Sequence, residues 1–302
     1  MAVPVVRKTK LQNATLKAPG ISYDMCHMNE RLIIVIPGNG VARLYDDNLN
    51  PAEGRYETGV KSPMKYTFNV PNSQLNYVAQ ISNGKVIFAT DNKKKLLIVK
   101  NVQDGANADE GRVEVTLNFL KDPRGLAVFP GGTIDDFRLA ICDCVENCVF
   151  VIRFVNGIYD GGVPMVIGKG ELASPNYVAV QQLGNEVRLV VTDLMRKALF
   201  VFHEQGAIRN TVYSCDGVDL DRPHGICIDR GGSIIFADSG NNRVVQLNPD
   251  CTFNRVLLNK DNAPDMNEPC GIMIKQETGE VMVGDAKCDI FTVQYREANE
   301  NL

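Results

Sequence analysis

The chain has 302 residues, of which 44% are hydrophobic, enough for a large buried core. Its 32 basic and 36 acidic residues give a formal net charge of −4, which excludes a wholly basic nucleic-acid-binding protein but leaves room for a local basic patch. No apolar run approaches the roughly 18 residues needed to cross a bilayer, and residues 1–20 lack the apolar core of a signal peptide. We therefore expect a soluble protein with no membrane partner.

The cysteines indicate a reducing compartment. There are nine of them, an odd number, and Cys142, Cys227 and Cys270 lie inside apolar runs. Buried free thiols of this kind are typical of intracellular proteins, since disulfides form mainly in secreted ones. The sequence thus predicts a cytoplasmic protein.

A recurring segment organises the chain. Its clearest copy, PHGICIDRGGSIIFADSGNNRVVQL, reads as Pro-x-Gly, an alternating strand, a turn, an apolar strand that ends in Asp, a polar loop and a third strand. A fourth strand follows in most copies. We divide residues 1–302, taken as one domain, into six copies near 18–59, 75–118, 122–170, 174–214, 222–259 and 268–295.

Proline and aspartate mark equivalent positions in the later copies. The prolines Pro123, Pro175, Pro223 and Pro269 follow one another at intervals of 52, 48 and 46 residues. The aspartates that end the second strands are Asp143, Asp193, Asp238 and Asp285. A carboxylate at a strand end accepts N–H bonds from the following turn. We favour this structural role over a ring of metal ligands.

Four short strands per copy predict an all-β fold. One such sheet cannot bury both of its faces alone, whereas six sheets arranged radially can. We therefore predict a six-bladed β-propeller with almost no helix. Residues 3–11 are expected to supply the outer strand of the last blade and so close the ring.

The pattern Pro-x-Gly followed by Ala-Asp-x-x-x-Asn-Arg resembles the NHL repeat, most closely from Pro223 to Leu247. Six such repeats are similar to the C-terminal propeller of the animal TRIM-NHL family. Because no RING or B-box zinc pattern is present, the resemblance implies an excised domain. It also implies RNA binding on the top face, the side that carries the Pro-x-Gly segments, and post-transcriptional repression of mRNA.

The resemblance places candidate RNA-binding residues on this top face. Asn and Arg side chains have the donor and acceptor geometry for base edges, and tyrosine rings can stack on unpaired bases. Lysine and arginine in the loops between second and third strands can contact phosphates. The candidates are Asn76, Tyr77, Lys93, Lys94, Lys95, Arg124, Asn176, Tyr177, Arg196, Lys197 and His224.

Other functions compete with single-stranded or hairpin RNA as the partner. The alternative is a protein–protein interaction propeller, for example one that docks the substrates of a ubiquitin ligase or effector proteins. An enzyme is disfavoured because the chain has only three histidines, so we expect no catalytic residue, no cofactor and no metal. The spacing Cys142-x-Cys144-x3-Cys148 is only a weak metal signature. We expect the isolated domain to be monomeric.

Overall fold

The computed structural model describes residues 6–10, 24–28, 31–36, 41–46, 67–69, 75–82, 85–90, 94–100, 112–133, 135–287 and 289–295. Over these residues the chain is all β, and its helical content is one 3₁₀ turn at Ser239–Asn241. The expectation of almost no helix is confirmed. None of the described segments forms a helix that could cross a membrane.

The strands are short, as the alternating apolar runs predict. The first half contains β1 (Val6–Lys10), β2 (Asp24–Met28), β3 (Arg31–Ile36), β4 (Val41–Asp46), β5 (Thr67–Asn69), β6 (Leu75–Ser82), β7 (Lys85–Thr90), β8 (Lys95–Lys100), β9 (Arg112–Thr116), β10 (Pro123–Val128), β11 (Phe137–Asp143), β12 (Cys148–Val155), β13 (Ile158–Tyr159) and β14 (Met165–Ile167). The second half contains β15 (Pro175–Leu183), β16 (Glu186–Asp193), β17 (Ala198–His203), β18 (Ile208–Val212), β19 (Ser214–Cys215), β20 (Val218–Asp219), β21 (Pro223–Ile228), β22 (Ile234–Asp238), β23 (Arg243–Leu247), β24 (Phe253–Leu258), β25 (Pro269–Lys275), β26 (Glu280–Asp285) and β27 (Asp289–Gln294).

These strands form antiparallel sheets that follow the repeat. Sheet 1 is β2–β5, sheet 2 is β6–β9, sheet 3 is β10–β14, sheet 4 is β15–β18 and sheet 5 is β21–β24. Sheet 6 has the order β25–β26–β27–β1, so that β1 lies on its outer edge. A small hairpin, β19–β20, connects sheets 4 and 5.

The structure shows five four-stranded blades, not the six that the sequence predicts. The third copy forms a five-stranded sheet, because two short strands, β13 and β14, pair with different parts of β12. The segment between them, Asp160–Pro164, has the sequence DGGVP. Glycine and proline are poor strand formers, and this explains why the outer strand of this copy is divided.

The inner strands of the six sheets stand around a common axis. In chain order β2, β6, β10, β15, β21 and β25 each contact the next, and β25 contacts β2. The neighbouring inner strands approach so closely that glycine is required. A Cβ atom on Gly125 would lie 2.6 Å from Tyr177 Cα, and one on Gly225 would lie 2.1 Å from the carbonyl oxygen of Cys270. The fold is therefore a closed β-propeller.

The recurring prolines and aspartates pair with each other across the first and second strands of their sheets. Pro123 pairs with Asp143, and the same pairing occurs in sheets 4, 5 and 6. A bulge follows the proline in each of these sheets. The Pro-x-Gly segments and the loops after the aspartates thus share one face of the propeller, which we call the top face.

Candidate interaction surface

The aspartates at the ends of the second strands shape the top face. The buried carboxylate of Asp143 accepts the backbone N–H of Lys121 at 2.6 Å and that of Val145 at 3.1 Å. Asp193 does the same for Ala173 at 2.7 Å and Arg196 at 2.9 Å. Each carboxylate therefore ties the loop that follows it to the segment that enters the same sheet. Their structural role is confirmed.

Two of the predicted stacking residues lie at the axis instead of on the surface. Tyr77 and Tyr177 are each only 4% exposed, and their rings meet edge to face with centroids 5.1 Å apart. Between them in the ring stands sheet 3, where Gly125 occupies the equivalent position and leaves space. Because both rings are buried, they present no exposed face for stacking in this structure, and their role in RNA binding stays a prediction.

A chain of hydrogen bonds links the tyrosines to two further candidates. The hydroxyl of Tyr77 donates to Asn176 Oδ1 at 2.9 Å, and Asn176 Nδ2 lies 3.2 Å from His224 Nδ1. Because an amide nitrogen can only donate, Nδ1 accepts and the proton of the neutral ring is on Nε2. Burial, followed by the charge of Arg222, lowers the pKa of His224 to about 4. The ring is therefore neutral near pH 7.

Asn176 is 2% exposed, so its amide is committed to this chain of bonds and does not meet solvent. Like the two tyrosines, Asn176 is therefore buried in this structure, and its contact with bases stays a prediction. Asn76, which occupies the same repeat position in sheet 2, is only half-buried.

Arg124 joins the same group from sheet 3. Its Nη2 forms an ion pair with Asp122 at 3.0 Å, and its Nη1 lies 3.5 Å from the Tyr77 hydroxyl. The Nε atom is buried without a hydrogen-bond partner in the structure. Much of this guanidinium is thus used within the protein.

Asp24, which the sequence analysis missed, completes the group from sheet 1. Its buried carboxylate accepts the backbone N–H of Met25 at 3.0 Å and that of Val78 in sheet 2 at 3.0 Å. Burial raises the pKa of Asp24 to about 7, although the two backbone bonds act in the opposite direction. We call Asp24, Tyr77, Arg124, Asn176, Tyr177 and His224 the axial cluster.

The predicted loop cations separate into paired and free side chains. Lys95 forms an ion pair with Glu114 at 2.9 Å, and Lys197 forms one with Asp221 at 2.9 Å. Lys94 and Arg196 are exposed and make no ion pair within the described part of the chain. Lys93 lies outside the described residues.

The top face also carries apolar side chains that the sequence analysis did not single out. Val145 is 58% exposed and Met195 is 74% exposed, each in the loop after the second strand of its sheet. Tyr213, at 57%, and Val218, at 44%, lie on the connection between sheets 4 and 5. The sequence does contain a signal for Val145 and Met195, because each is an apolar residue inside an otherwise polar loop, DCVENC or DLMRKA.

The cysteines lack the features of a reactive site. Seven of them are free thiols: Cys142, Cys144, Cys148, Cys215, Cys227, Cys251 and Cys270. Burial raises the pKa of Cys144 to about 11 and that of Cys142 well above its usual range. Thiols of this kind stay protonated near neutral pH, and the thiolate is the reactive form. Across the described ranges, no three histidine, cysteine or acidic side chains gather as metal ligands.

Comparison with known proteins supports the repeat and the fold. The NHL repeat model matches residues 220–247, which correspond to the first three strands of sheet 5 and the segment that enters it. A propeller of NHL type fits a protein-interaction role. The comparison with curated proteins gave no match. Nothing in these findings links the chain specifically to the TRIM-NHL family.

Solved structures with this fold include enzymes. Virginiamycin B lyase from Staphylococcus aureus has a TM-score of 0.62 and 14% identity, with 97% of this chain and 100% of that chain covered. A catalytically inactive variant of that lyase, solved with quinupristin, is equally similar, with the same TM-score, identity and coverage. A luciferin-regenerating enzyme has a TM-score of 0.62 and 11% identity, with 96% of this chain and 95% of that chain covered.

The expectation that the chain is not an enzyme, which rested on its few histidines, is contradicted by these neighbours. At such low identity the likeness establishes the fold, and a fold alone does not determine a function. This chain is a β-propeller that contains an NHL repeat.

Proposed function

We propose that the protein is a protein-interaction propeller whose top face, at sheets 3 and 4, docks a partner through apolar contacts. The observation that carries this proposal is the exposure of Val145, Met195, Tyr213 and Val218 on that face. Single exposed apolar residues are ordinary on protein surfaces. Several together on one face mark interaction sites.

The repeat brings the first two of these side chains into corresponding places. Val145 follows Asp143 by two positions and Met195 follows Asp193 by two, so neighbouring sheets present them in equivalent loops. The equivalent residues in sheets 5 and 6 are Gly240 and Lys287. Among sheets 3 to 6, the apolar position is therefore particular to sheets 3 and 4.

Charge on the same loops indicates the chemistry of the partner. Lys121 and Arg196 are exposed and make no ion pair within the described ranges. Asp143 binds the backbone N–H groups of both Lys121 and Val145, so the backbones of a cationic and an apolar residue lie close together on this face. Arg196 directly follows Met195. The partner segment is therefore apolar with flanking acidic residues.

RNA is the competing partner, and the geometry favours it less. Stacking on aromatic rings is a main source of affinity for single-stranded nucleic acid. Tyr77 and Tyr177 are buried, and Lys95 and Lys197 are ion-paired. Lys94 and Arg196 remain as exposed cations that would contact phosphates.

We also count sheet 3 as a blade whose outer strand is divided, which makes the propeller six-bladed. Both β13 and β14 pair with β12, at different positions along it. Its inner strand, β10, contacts β6 on one side and β15 on the other. Both observations support this count.

Selection of random displayed peptides on the immobilised protein tests the function. Selected sequences are made as labelled peptides, and their binding is measured by fluorescence anisotropy with wild type and with the double variant V145S/M195S. We expect wild type to bind and the double variant to bind about tenfold more weakly, which corresponds to about 1.4 kcal/mol. The matched control is Ile158→Ser, another exposed apolar residue, on the outer edge of sheet 3.

Two results would overturn the proposal. One is that no peptide binds, or that V145S/M195S and Ile158→Ser behave alike. The other is that labelled single-stranded RNA binds with a steep loss of affinity as salt rises, and that Lys94→Glu with Arg196→Glu abolishes this binding. The second result would replace the protein partner by RNA.

A further inference from the structure

A cavity of about 250 Å³ opens on the opposite, bottom face of sheet 3. It lies beside the turn that joins β10 to β11, and its walls include Phe129, Phe137 and the glycines Gly131 and Gly132. The guanidinium-bearing side chains of Arg138 and Arg153 also line it. None of these residues belongs to the top face or to the axial cluster.

The two arginines stand directly opposite each other. Arg138 in β11 pairs with Arg153 in β12, so both side chains project from the same face of the sheet. Like charges at such a cross-strand pair repel and destabilise the sheet. Glu204 neutralises Arg138 with an ion pair of 2.7 Å, while Arg153 is exposed and makes no ion pair with any residue that the structure describes. One positive charge at the cavity therefore lacks a counterion among the described residues.

Arg138 is held in place by two contacts. Its guanidinium lies 4.1 Å from the centroid of the Phe129 ring, a cation–π contact, in addition to the ion pair with Glu204. A fixed guanidinium loses little conformational entropy when a ligand binds. The N–H groups of Gly131 and Gly132 make no hydrogen bond to another described residue, so they remain available as donors.

One acidic side chain also lines the cavity. The Asp136 carboxylate accepts the backbone N–H of Asn156 at 2.8 Å, and the backbone N–H of Asp136 donates to the Thr133 hydroxyl oxygen at 2.9 Å. These bonds fix Asp136 within the turn. Among the cavity-lining residues, Arg153, Gly131 and Gly132 carry donors that have no partner among the described residues.

We propose that this cavity binds a small molecule with an oxyanion, either a carboxylate or a phosphate monoester, attached to a small apolar group. The oxyanion bridges Arg153 and Arg138 and accepts from the glycine N–H groups, since planar guanidinium groups match carboxylate and phosphate oxygens. The apolar group contacts the phenylalanine walls. The proposal is independent of the top face, and its test leaves the docking surface intact.

Two probes distinguish the sources of the oxyanion. Phenyl phosphate and phenylacetate are titrated into the isotope-labelled protein, and the amide resonances of Gly131 and Gly132 are followed by NMR. We expect one or both probes to shift these resonances saturably. The probe that binds more tightly identifies the preferred oxyanion.

Arg153→Gln is the decisive variant, because the side chain is exposed and its loss should leave the fold unchanged, as circular dichroism would verify. We expect it to weaken binding about tenfold or more. The matched control is Arg230→Gln, an exposed arginine on the bottom face of sheet 5. Absence of saturable shifts in wild type, or equal weakening by both variants, would show that the cavity is not an oxyanion site.

Discussion

Sheet 5 and sheet 4 use the loop after the second strand in different ways. In sheet 5 the buried Asp238 carboxylate accepts from Arg243 Nε at 2.7 Å and from Asn241 Nδ2 at 2.9 Å. Arg243 also donates to the carbonyl oxygens of Cys215 and Val218, each at 3.3 Å. The polar residues of this loop are therefore committed to internal bonds.

In sheet 4 the corresponding loop contains Leu194, Met195, Arg196 and Lys197. It has no asparagine at the position of Asn241 and no arginine at the position of Arg243. The loop is held by Asp193 through backbone N–H groups, and Met195, Arg196 and Lys197 are exposed. The asparagine and arginine of the NHL pattern thus have a structural role, because they hold the loop of sheet 5 through internal hydrogen bonds. In sheet 4, which departs from that pattern, Met195 and Arg196 are exposed instead.

The exposure of large apolar side chains also differs between these parts of the propeller. The large apolar side chains that are exposed in the described residues all lie between positions 145 and 218, which belong to sheets 3 and 4 and the connection after them. Those of sheets 5 and 6 are packed in a continuous core with few exceptions. Sheets 5 and 6 thus keep their large apolar side chains packed inside, whereas sheets 3 and 4 and the connection after them expose several.

The largest effect is expected when the closed loop of sheet 5 is opened. Arg243→Ala leaves the Asp238 carboxylate buried without its counterion, and breaking a buried ion pair costs about 3–5 kcal/mol. The free energy of unfolding, measured by urea denaturation, should fall by that amount. The control is Arg196→Ala in the loop of sheet 4, which should change it by less than about 0.5 kcal/mol. An equal loss of unfolding free energy in the two variants would contradict the proposed difference between the loops of sheets 4 and 5.

A second test uses pH, because sheets 1 and 5 contribute opposite titrations to the axial cluster. The pKa of Asp24 rises from 3.8 to about 7 on folding, so the folded state holds this proton more tightly and the unfolding free energy falls as pH rises from about 4 to about 7. Each pKa unit corresponds to about 1.4 kcal/mol, which sets an upper limit of about 4 kcal/mol. The pKa of His224 drops from 6.5 to about 4, so its contribution is lost as pH falls through that range.

The two variants should therefore change the pH dependence in opposite directions. Relative to wild type, Asp24→Asn should make the unfolding free energy fall more steeply on acidification between pH 7 and 4, because only the His224 titration remains. His224→Gln should make it fall more steeply as pH rises over the same window. Thermal denaturation across this range measures both. Parallel shifts in the two variants would contradict the assigned titrations.

The smallest effect is expected at the exposed methionine. Met195→Ala removes a side chain that is 74% exposed and should change the unfolding free energy by less than about 0.5 kcal/mol. Met266→Ala, in the segment that enters sheet 6, removes one that is 5% exposed and should cost about 2–5 kcal/mol. Guanidinium denaturation compares them. A large loss at Met195 would mean that this side chain stabilises the fold and is not reserved for a partner.

Much of the fold could be predicted because its signals are local. Alternating apolar residues predict a strand, and the recurring prolines and aspartates predict where each copy begins and where its second strand ends. The structure adds that these residues pair, as Pro123 does with Asp143. The divided outer strand of sheet 3 escaped prediction, although its glycines and proline are visible in the sequence. Their effect depends on how β12 can pair on either side of them.

The candidate site was harder to predict because exposure depends on distant residues. Tyr177 is buried since Gly125, far away in the sequence, leaves space beside it. Lys197 is paired since Asp221 enters the next sheet within reach of it. Neither neighbour belongs to the same copy of the repeat, so a single copy cannot reveal which of its side chains remain free.

The position of β1 has a consequence for how the protein is made. β1 pairs with β27 along the whole of residues 6–10. Because β27 is synthesised much later than β1, the hydrogen bonds between them cannot form until then. Pairing between strands that are far apart in the sequence raises the contact order, and proteins with a high contact order fold slowly. Until β27 has been synthesised, sheet 6 lacks its outer strand and the wheel stays open.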